Sequence, residues 1–362
     1  MFKSMIRFFF LMTLAVSFTN CKQEKEPVQP NILFIAVDDL RPELGCYGAA
    51  KIHSPNIDQL ASEGTLFERA YCNVPVCGAS RASLLSGVRP RRDRFVQYYT
   101  WQDNDAPGIT SLPEYFKEKG YNTISNGKVY HHIKDGEGSW SEEPWHPVQE
   151  VQNKNWRNYI TKSNLSIAEK NKGSARSYEE AEVHDTAYFD GKTAQKTITD
   201  LQRLKETGQP FFLAAGFLKP HLPFNAPAKY WEMYPYESIE MPENPFFPET
   251  APEAARHNWG ELRSYVDIPK KGALSDSLAR KLIQGYYACV SYTDAQIGKI
   301  LNELESLGLK ENTIVVLWGD HGWNLGEHGL WCKHCNFHTA LKAPLIVRAP
   351  GMEGNMKVNS LV

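Results

Sequence analysis

Asn31-Ile32-Leu33-Phe34-Ile35-Ala36-Val37-Asp38-Asp39 decides the fold. The run is apolar without alternation, rich in branched side chains, and ends on two carboxylates. A continuous apolar run predicts a strand buried on both faces, as in a parallel sheet. Three more runs of this kind occur, at Phe211–Phe217, Thr313–Trp318 and Pro344–Arg348. Helical patterns lie between them. One opens at Ser54-Pro55-Asn56-Ile57-Asp58-Gln59-Leu60, with Ser54 as N-cap and Pro55 in the first turn. Others cover Thr110–Lys119, Asp185–Lys205 and Ser275–Leu307, the last capped by Ser275-Asp276 and stopped by Gly308. Strands alternating with helices predict an α/β sandwich, a largely parallel central sheet flanked by helices. The polar segment 136–178 and the Pro- and Glu-rich segment Met241–Lys271 read as long insertions over the sheet, where substrate contacts often lie.

Composition narrows the function. The chain has 362 residues, 42% hydrophobic and 23% charged, an ordinary globular balance that excludes a disordered or fibrous chain. The formal net charge is −2, so there is no global basic footprint for nucleic acid. Any anion must be held by a few local cations. At the N-terminus, Lys3 and Arg7 precede an apolar run from Phe8 to Phe18, which reads as a secretory signal over residues 1–20. Cys21 follows it and resembles the lipidated cysteine of a bacterial lipoprotein, although Asn20 is not the small residue usual before it. Either form of the signal exports the protein, to the periplasm or to a lipid anchor on the outer membrane of a bacterium.

Polar residues gather at the ends of the apolar runs. The first run leads into Asp38-Asp39 and the third into Gly319-Asp320-His321-Gly322. Ligands of open α/β sheets bind beyond the carboxyl ends of strands. Oxygen donors of this kind suit a hard divalent cation, Ca²⁺ or Mg²⁺, although Asp38-Asp39 alone also reads as a turn or helix cap. Cys77-Gly78-Ala79-Ser80-Arg81 opens a helical pattern that continues through Leu84-Leu85-Ser86-Gly87. A cysteine there is expected to have a lowered pKa, because a helix N-terminus favours anions; the bland alternative is a buried, inert thiol. Arg81 lies one turn along on the same face. Gly127-Lys128-Val129-Tyr130-His131-His132, Lys219-Pro220-His221-Leu222-Pro223-Phe224 and Gly326-Glu327-His328-Gly329-Leu330-Trp331-Cys332-Lys333 add further His and Lys residues. Each is ordinary alone. Together they offer a metal, a nucleophile, histidines for proton transfer and cations for an anion. Cys332-x-x-Cys335, with His334 and His338, reads as half a zinc site, a redox pair or two unrelated thiols. Cys46, Cys72, Cys77, Cys289, Cys332 and Cys335 allow up to three disulfides.

The ordered set Asp-Asp, Cys-x-Ala-Ser-Arg, Gly-Lys-x-x-His, Lys-Pro-His-x-Pro-Phe, Gly-Asp-His-Gly and Gly-Glu-His-Gly resembles the type I, formylglycine-dependent sulfatases of the alkaline phosphatase superfamily. Gly-Lys-Val-Tyr-His and Phe-Leu-Lys-Pro-His-Leu-Pro-Phe are most similar to the iduronate-2-sulfatase branch and its bacterial relatives. The resemblance runs from about Pro30 to the last residue. It implies a catalytic domain over 30–362. That domain is expected to be incomplete at its C-terminus, because relatives continue with a helix and a small antiparallel subdomain.

Carried over residue by residue, the resemblance implies that a maturation enzyme converts Cys77 to formylglycine, whose hydrate is the nucleophile. Ala79 stands where Pro is commoner. Asp38, Asp39, Asp320 and His321 would hold Ca²⁺ together with residue 77. Arg81 would steady the hydrate, and Lys128 and Lys333 would grip the sulfate. His131 would be the base near the hydrate, ahead of its neighbour His132, and His221 would face the leaving oxygen. The chemistry is consistent with these roles. A divalent cation and fixed cations offset charge in an in-line displacement at sulfur. A His near its ordinary pKa of about 6.5 can protonate a poor sugar leaving group. The expected substrate is a sulfated saccharide, a 2-O-sulfated uronic acid or a related glycan. Two other readings stay open: a phosphonate or phosphodiester hydrolase of the same superfamily, and a non-catalytic surface protein that binds sulfated glycans.

Overall fold

The computed structural model describes residues 29–150 and 155–362. The export signal and Cys21 therefore lie outside the described residues. The strands are β1 (Asn31–Val37), β2 (Thr65–Phe67), β3 (Asn122–Gly127), β4 (Tyr178–Ala181), β5 (Phe211–Phe217), β6 (Phe224–Pro227), β7 (Thr313–Gly319), β8 (Asn324–Leu325), β9 (Trp331–Cys332), β10 (Leu345–Arg348) and β11 (Met356–Val358). The helices are α1 (Pro55–Ser62), α2 (Cys77–Ser86), α3 (Gln102–Asp105), α4 (Leu112–Glu118), α5 (Lys162–Lys170), α6 (Phe189–Thr207), α7 (Ala228–Trp231), α8 (Asp276–Ser306) and α9 (His338–Leu341).

The main sheet has the order β11-β2-β10-β7-β1-β5-β3. Its middle, β7-β1-β5-β3, is parallel throughout, with Ile32 beside both Phe212 and Ile314. Side chains alternate between the faces. Leu33, Ile35, Val37, Leu213, Phe217 and Leu317 point into the larger core with α1, α6 and α8. Ile32, Phe34, Phe212, Ala214 and Trp318 fill a second core with Tyr121 and Trp140. Two cores explain why β1 and β5 are apolar at nearly every position. The run at Pro344–Arg348 departs from that pattern. It forms β10, antiparallel to β7 and β2, with Ile346 buried and Leu345 and Val347 only half-buried.

Two helix starts differ from the expectation in detail. Ser54 sits at the N-cap of α1, but its hydroxyl accepts from Gly45 N (3.0 Å) and donates to Asp58 (3.1 Å). The free N–H groups of that first turn go instead to Asp294, at 2.8 Å from Ile57 N. The Asp185–Lys205 pattern divides into a 3-10 turn at Asp185–Ala187 and α6. Ser275 does cap α8, accepting from Leu278 N at 3.3 Å. The insertion at 136–178 carries α5 and the start of β4, whereas Met241–Lys271 is irregular with short 3-10 turns.

Gly216 shows how tightly β5 and β3 approach at the end that matters. A methyl group there would collide with the carbonyl of Lys128, just past β3. Gly216→Ala is expected to cost about 1–3 kcal/mol through overpacking against backbone. A denaturant midpoint equal to that of the parent protein would refute this close approach.

Candidate active site

Four parallel strands end on one edge of the sheet, and each hands over to polar residues. β1 leads into Asp38 and Asp39, β7 into Asp320 and His321, β5 into Lys219 and His221, and β3 into Lys128. The ladder continues one step past the strands. Asp38 N donates to Phe217 O (3.1 Å), Asp320 N to Val37 O (3.2 Å) and Lys128 N to Gly216 O (2.8 Å). The sheet's own backbone thus fixes these side chains. Cys77 arrives from another direction as the first residue of α2, with Arg81 one turn on, and both are buried. Ser80 Oγ anchors that turn by donating to Asp320 O at 2.5 Å.

Cations and carboxylates alternate around Cys77. Arg81 Nε donates to Asp320 Oδ2 (2.9 Å) and Nη2 to Asp38 Oδ1 (3.4 Å), while Nη1 donates to the carbonyls of Lys128 and Val129. Lys128 pairs with Asp38. Lys333 Nζ donates to both oxygens of Asp39 at 3.0 Å. Burial opposes the charge on Asp38, but Lys128, then His221 and Arg81, hold its carboxyl well below the usual range. Asp39 is pushed up to about 7 by burial, against the pull of Lys333. Its charge is the less well compensated of the two.

The sequence expectation for the Cys77 thiol is corrected. Burial first, and then the charge of Asp38, push it well above its ordinary pKa, and Lys333 and Lys128 do not offset this. The helix N-terminus is outweighed because Asp38 and Asp320 crowd the same sulfur. Cys77 Sγ lies 3.1 Å from His321 Nε2 and 3.7 Å from Asp39 Oδ1.

The donor set fits a divalent cation. Side-chain atoms of Asp38, Cys77, Asp320 and His321 lie within 4.8 Å of one another, and so do those of Asp38, Asp39, Cys77 and His221. All five residues singled out as metal ligands fall in these two overlapping groups, which share Asp38 and Cys77; His221 joins the second. His321 Nδ1 is 2.9 Å from Gly322 O, which fixes the tautomer with its proton there and leaves the Nε2 lone pair facing the cluster. Three buried carboxylates, one of them under-compensated, are the environment that a hard cation relieves.

The histidines divide. His221 Nδ1 contacts Leu222 O (2.6 Å), which aims Nε2 at Glu261 Oε1 (2.9 Å) and, farther off, at Asp39 Oδ2 (3.9 Å). Burial and then Lys333 lower its pKa, so it does not sit at the ordinary value the sequence reading assumed. His131 is pushed down to about 2, by burial and then Lys128, and is neutral. Its Nδ1 has no partner among the described residues, and no hydrogen bond joins it to Cys77 there. His132 stacks on Trp101 with ring centroids 4.3 Å apart.

Other motif residues prove to be braces. Lys219 Nζ donates to the carbonyls of His221 (2.8 Å) and Pro223 (2.6 Å). Glu327 binds Arg41 at 2.8 Å, and His328 stacks on Phe337. The six described cysteines are all free, so the disulfide reading does not hold among them. Asn324 Nδ2 donates to Cys332 O (2.8 Å) and approaches Cys335 Sγ (3.4 Å). Neither thiol joins a group of three possible metal ligands among the described residues, which removes the zinc reading.

Glu261 was not singled out from the sequence. It lies in the irregular insertion, yet its Oε1 meets Lys333 Nζ (2.7 Å) and His221 Nε2 (2.9 Å), and its Oε2 lies 3.6 Å from His334. Trp156 was missed too; its ring stands edge-on to His221, with centroids 5.4 Å apart. Only the placement of the insertions within the sandwich brings them here.

Comparison with known proteins adds four findings. The Sulfatase family profile matches residues 30–362. Iduronate 2-sulfatase of Mus musculus is 38% identical over 338 residues, covering 89% of this chain and 59% of that protein, so the chain spans about six tenths of its length. A sulfatase of Formosa agariphila is 33% identical over 377 residues, covering 98% of this chain and 72% of its own. Among solved structures, a phosphonate monoester hydrolase of Agrobacterium radiobacter superposes with a TM-score of 0.69 at 21% identity, over 91% of this chain and 70% of its own, a likeness of fold.

Proposed function

The chain belongs to the sulfatase family, and from that premise we propose that it hydrolyses sulfate esters of saccharides, 2-O-sulfated uronic acids or related glycans. One observation carries the reading: Cys77 lies at the start of α2 among three buried carboxylates, with Arg81, Lys128, Lys333 and His221 around them. A maturation enzyme would convert Cys77 to formylglycine, whose hydrate supplies the attacking hydroxyl. Asp38, Asp39, Asp320 and His321 would hold Ca²⁺, which when bound offsets the charge of the ester. Arg81 fixes the geometry between α2 and the strand ends. Lys128 keeps donors beyond Asp38 for the sulfate oxygens, whereas the three N–H groups of Lys333 meet both oxygens of Asp39 and Glu261, so Lys333 would turn to the sulfate only by giving up one of these partners. His221 is placed to pass a proton from Nε2 to the leaving oxygen; His131, assigned as the base near the hydrate, is held neutral with an unpartnered Nδ1, but its pKa of about 2 makes it a weak base. The same reading makes the protein exported, with Cys21 as a lipid anchor. No described helix is long and apolar enough to cross a membrane.

The test is release of inorganic sulfate by protein co-produced with a formylglycine-generating enzyme. Sulfated uronic acid disaccharides, a sulfated hexosamine and an aryl sulfate are assayed beside phosphonate and phosphate diesters. Faster turnover of the phosphorus esters, or turnover of none, overturns the reading. Asp38→Ala is expected to lose both bound calcium and activity, because Asp38 belongs to both ligand groups. Elemental analysis showing full calcium in that variant would refute the assignment.

A further inference from the structure

Trp156 and Arg157 lie in the polar insertion, yet they are tied to the element that carries His221. Asn225, directly after the Lys219–Phe224 segment, donates from Nδ2 to Arg157 O at 2.8 Å. Trp156 is 38% exposed and stands edge-on to His221, with ring planes at 80°. The Arg157 guanidinium lies over the Trp156 ring, Cζ to centroid 4.7 Å, and near Tyr265 at 5.7 Å. His221, Trp156 and Arg157 thus form one continuous wall.

The charge on that wall is unanswered. Among the described residues no carboxylate forms an ion pair with Arg157, and its buried Nε has no hydrogen-bond partner; the guanidinium hydrogen-bonds the neutral phenol of Tyr265 instead. The neighbouring residues 151–154, Val-Gln-Asn-Lys, contain no acid. Glu261, the carboxylate beside His221, is engaged by Lys333 and His221. By contrast, Arg41 and Arg81 are both paired with carboxylates. A half-buried guanidinium gives up hydration, and stacking on an indole returns only part of it. An anionic ligand would supply the rest, and the planar fork of Arg matches a carboxylate.

This inference rests on the sulfatase reading, which places the sugar beyond His221. We infer that Arg157, backed by the Trp156 ring, is a specificity-determining residue that binds a carboxylate on the sugar whose sulfate is removed. The sugar ring would lie against Trp156, and its carboxylate would meet a guanidinium that no carboxylate of the described residues pairs.

The experiment deletes the carboxylate and the guanidinium in turn. The kcat/KM of matured protein is measured on a 2-O-sulfated uronic acid disaccharide and on its carboxyl-reduced counterpart. The wild type is expected to favour the carboxylate about 10- to 100-fold, the range of one charge-assisted hydrogen bond. Arg157→Gln should bring the ratio close to one. Because the ratio is taken within each protein, partial loss of folded material cancels. If the Gln variant is too unstable to assay, Arg157→Lys decides, since loss of the fork should still lower the ratio several-fold. An unchanged ratio in either variant, or a wild type with no preference, overturns the assignment. Failure of the wild type on every sulfate ester, the aryl sulfate included, would instead remove the sulfatase reading beneath it.

Discussion

Cys77→Ala is expected to reduce sulfate release by about 10⁴- to 10⁶-fold, the scale on which removing a nucleophile acts. The fold should tolerate the change. Cys77 Sγ makes only a 3.1 Å contact with His321 and a long 3.7 Å one with Asp39, and α2 is anchored separately through Ser80 and Arg81. Loss of those contacts should cost about 1 kcal/mol, or a few degrees of melting temperature. An unmodified thiol is a poor candidate for the nucleophile, because burial and Asp38 keep it protonated. That is the physical reason to expect the modified residue. Mass spectrometry of the peptide spanning residue 77 in active protein should show the aldehyde or its hydrate. An active preparation in which residue 77 is entirely thiol would sink the mechanism, as would an alanine variant that retains turnover.

What the sequence made legible follows from where burial is apolar. β1, β5 and β7 are plain because both faces of the sheet are covered, and their polar successors mark the catalytic edge. β3 was not legible. Asn122-Thr-Ile-Ser-Asn-Gly127 is polar, and its burial is satisfied by side chains from elsewhere: Asn126 donates to Asp200 (2.8 Å) and Thr123 to Ser139 O (2.9 Å). A hydropathy pattern cannot register partners that arrive from distant segments. The position of Lys128 was therefore read from its motif alone, and the strand that delivers it only from the fold. Glu261 and Trp156 were hidden for the same reason. Each sits in a segment with no periodicity, and each matters only through groups tens of residues away. The thiol of Cys77 was misjudged because the helix N-terminus is local in sequence, whereas Asp38 and Asp320 are not.

His221→Ala is expected to lower turnover of sulfated uronic acid or hexosamine substrates by about 10²- to 10⁴-fold, yet to affect an activated aryl sulfate far less. The turn that carries His221 is held without its imidazole. Lys219 Nζ binds the carbonyls of His221 and Pro223, and Asp190 accepts from Leu218 N (2.9 Å) and Lys219 N (2.7 Å). The backbone should therefore stay in place, and the loss should report on the ring alone. That ring has one nitrogen committed to Leu222 O, so Nε2 is the position from which a proton can leave. Glu261 favours a proton there, but burial and Lys333 outweigh it and lower the pKa, so the imidazolium is the minor form and, once formed, a stronger acid than an ordinary histidine. A sugar alkoxide needs that proton as the bond to sulfur breaks, whereas an aryl oxide of low pKa departs without it. If His221 instead only binds the sulfate, both substrates contain the same sulfate and must lose equally. Equal loss in steady-state kinetics on the two substrate types would remove His221 from the general-acid role and leave Glu261 with nothing to hold for catalysis but Lys333.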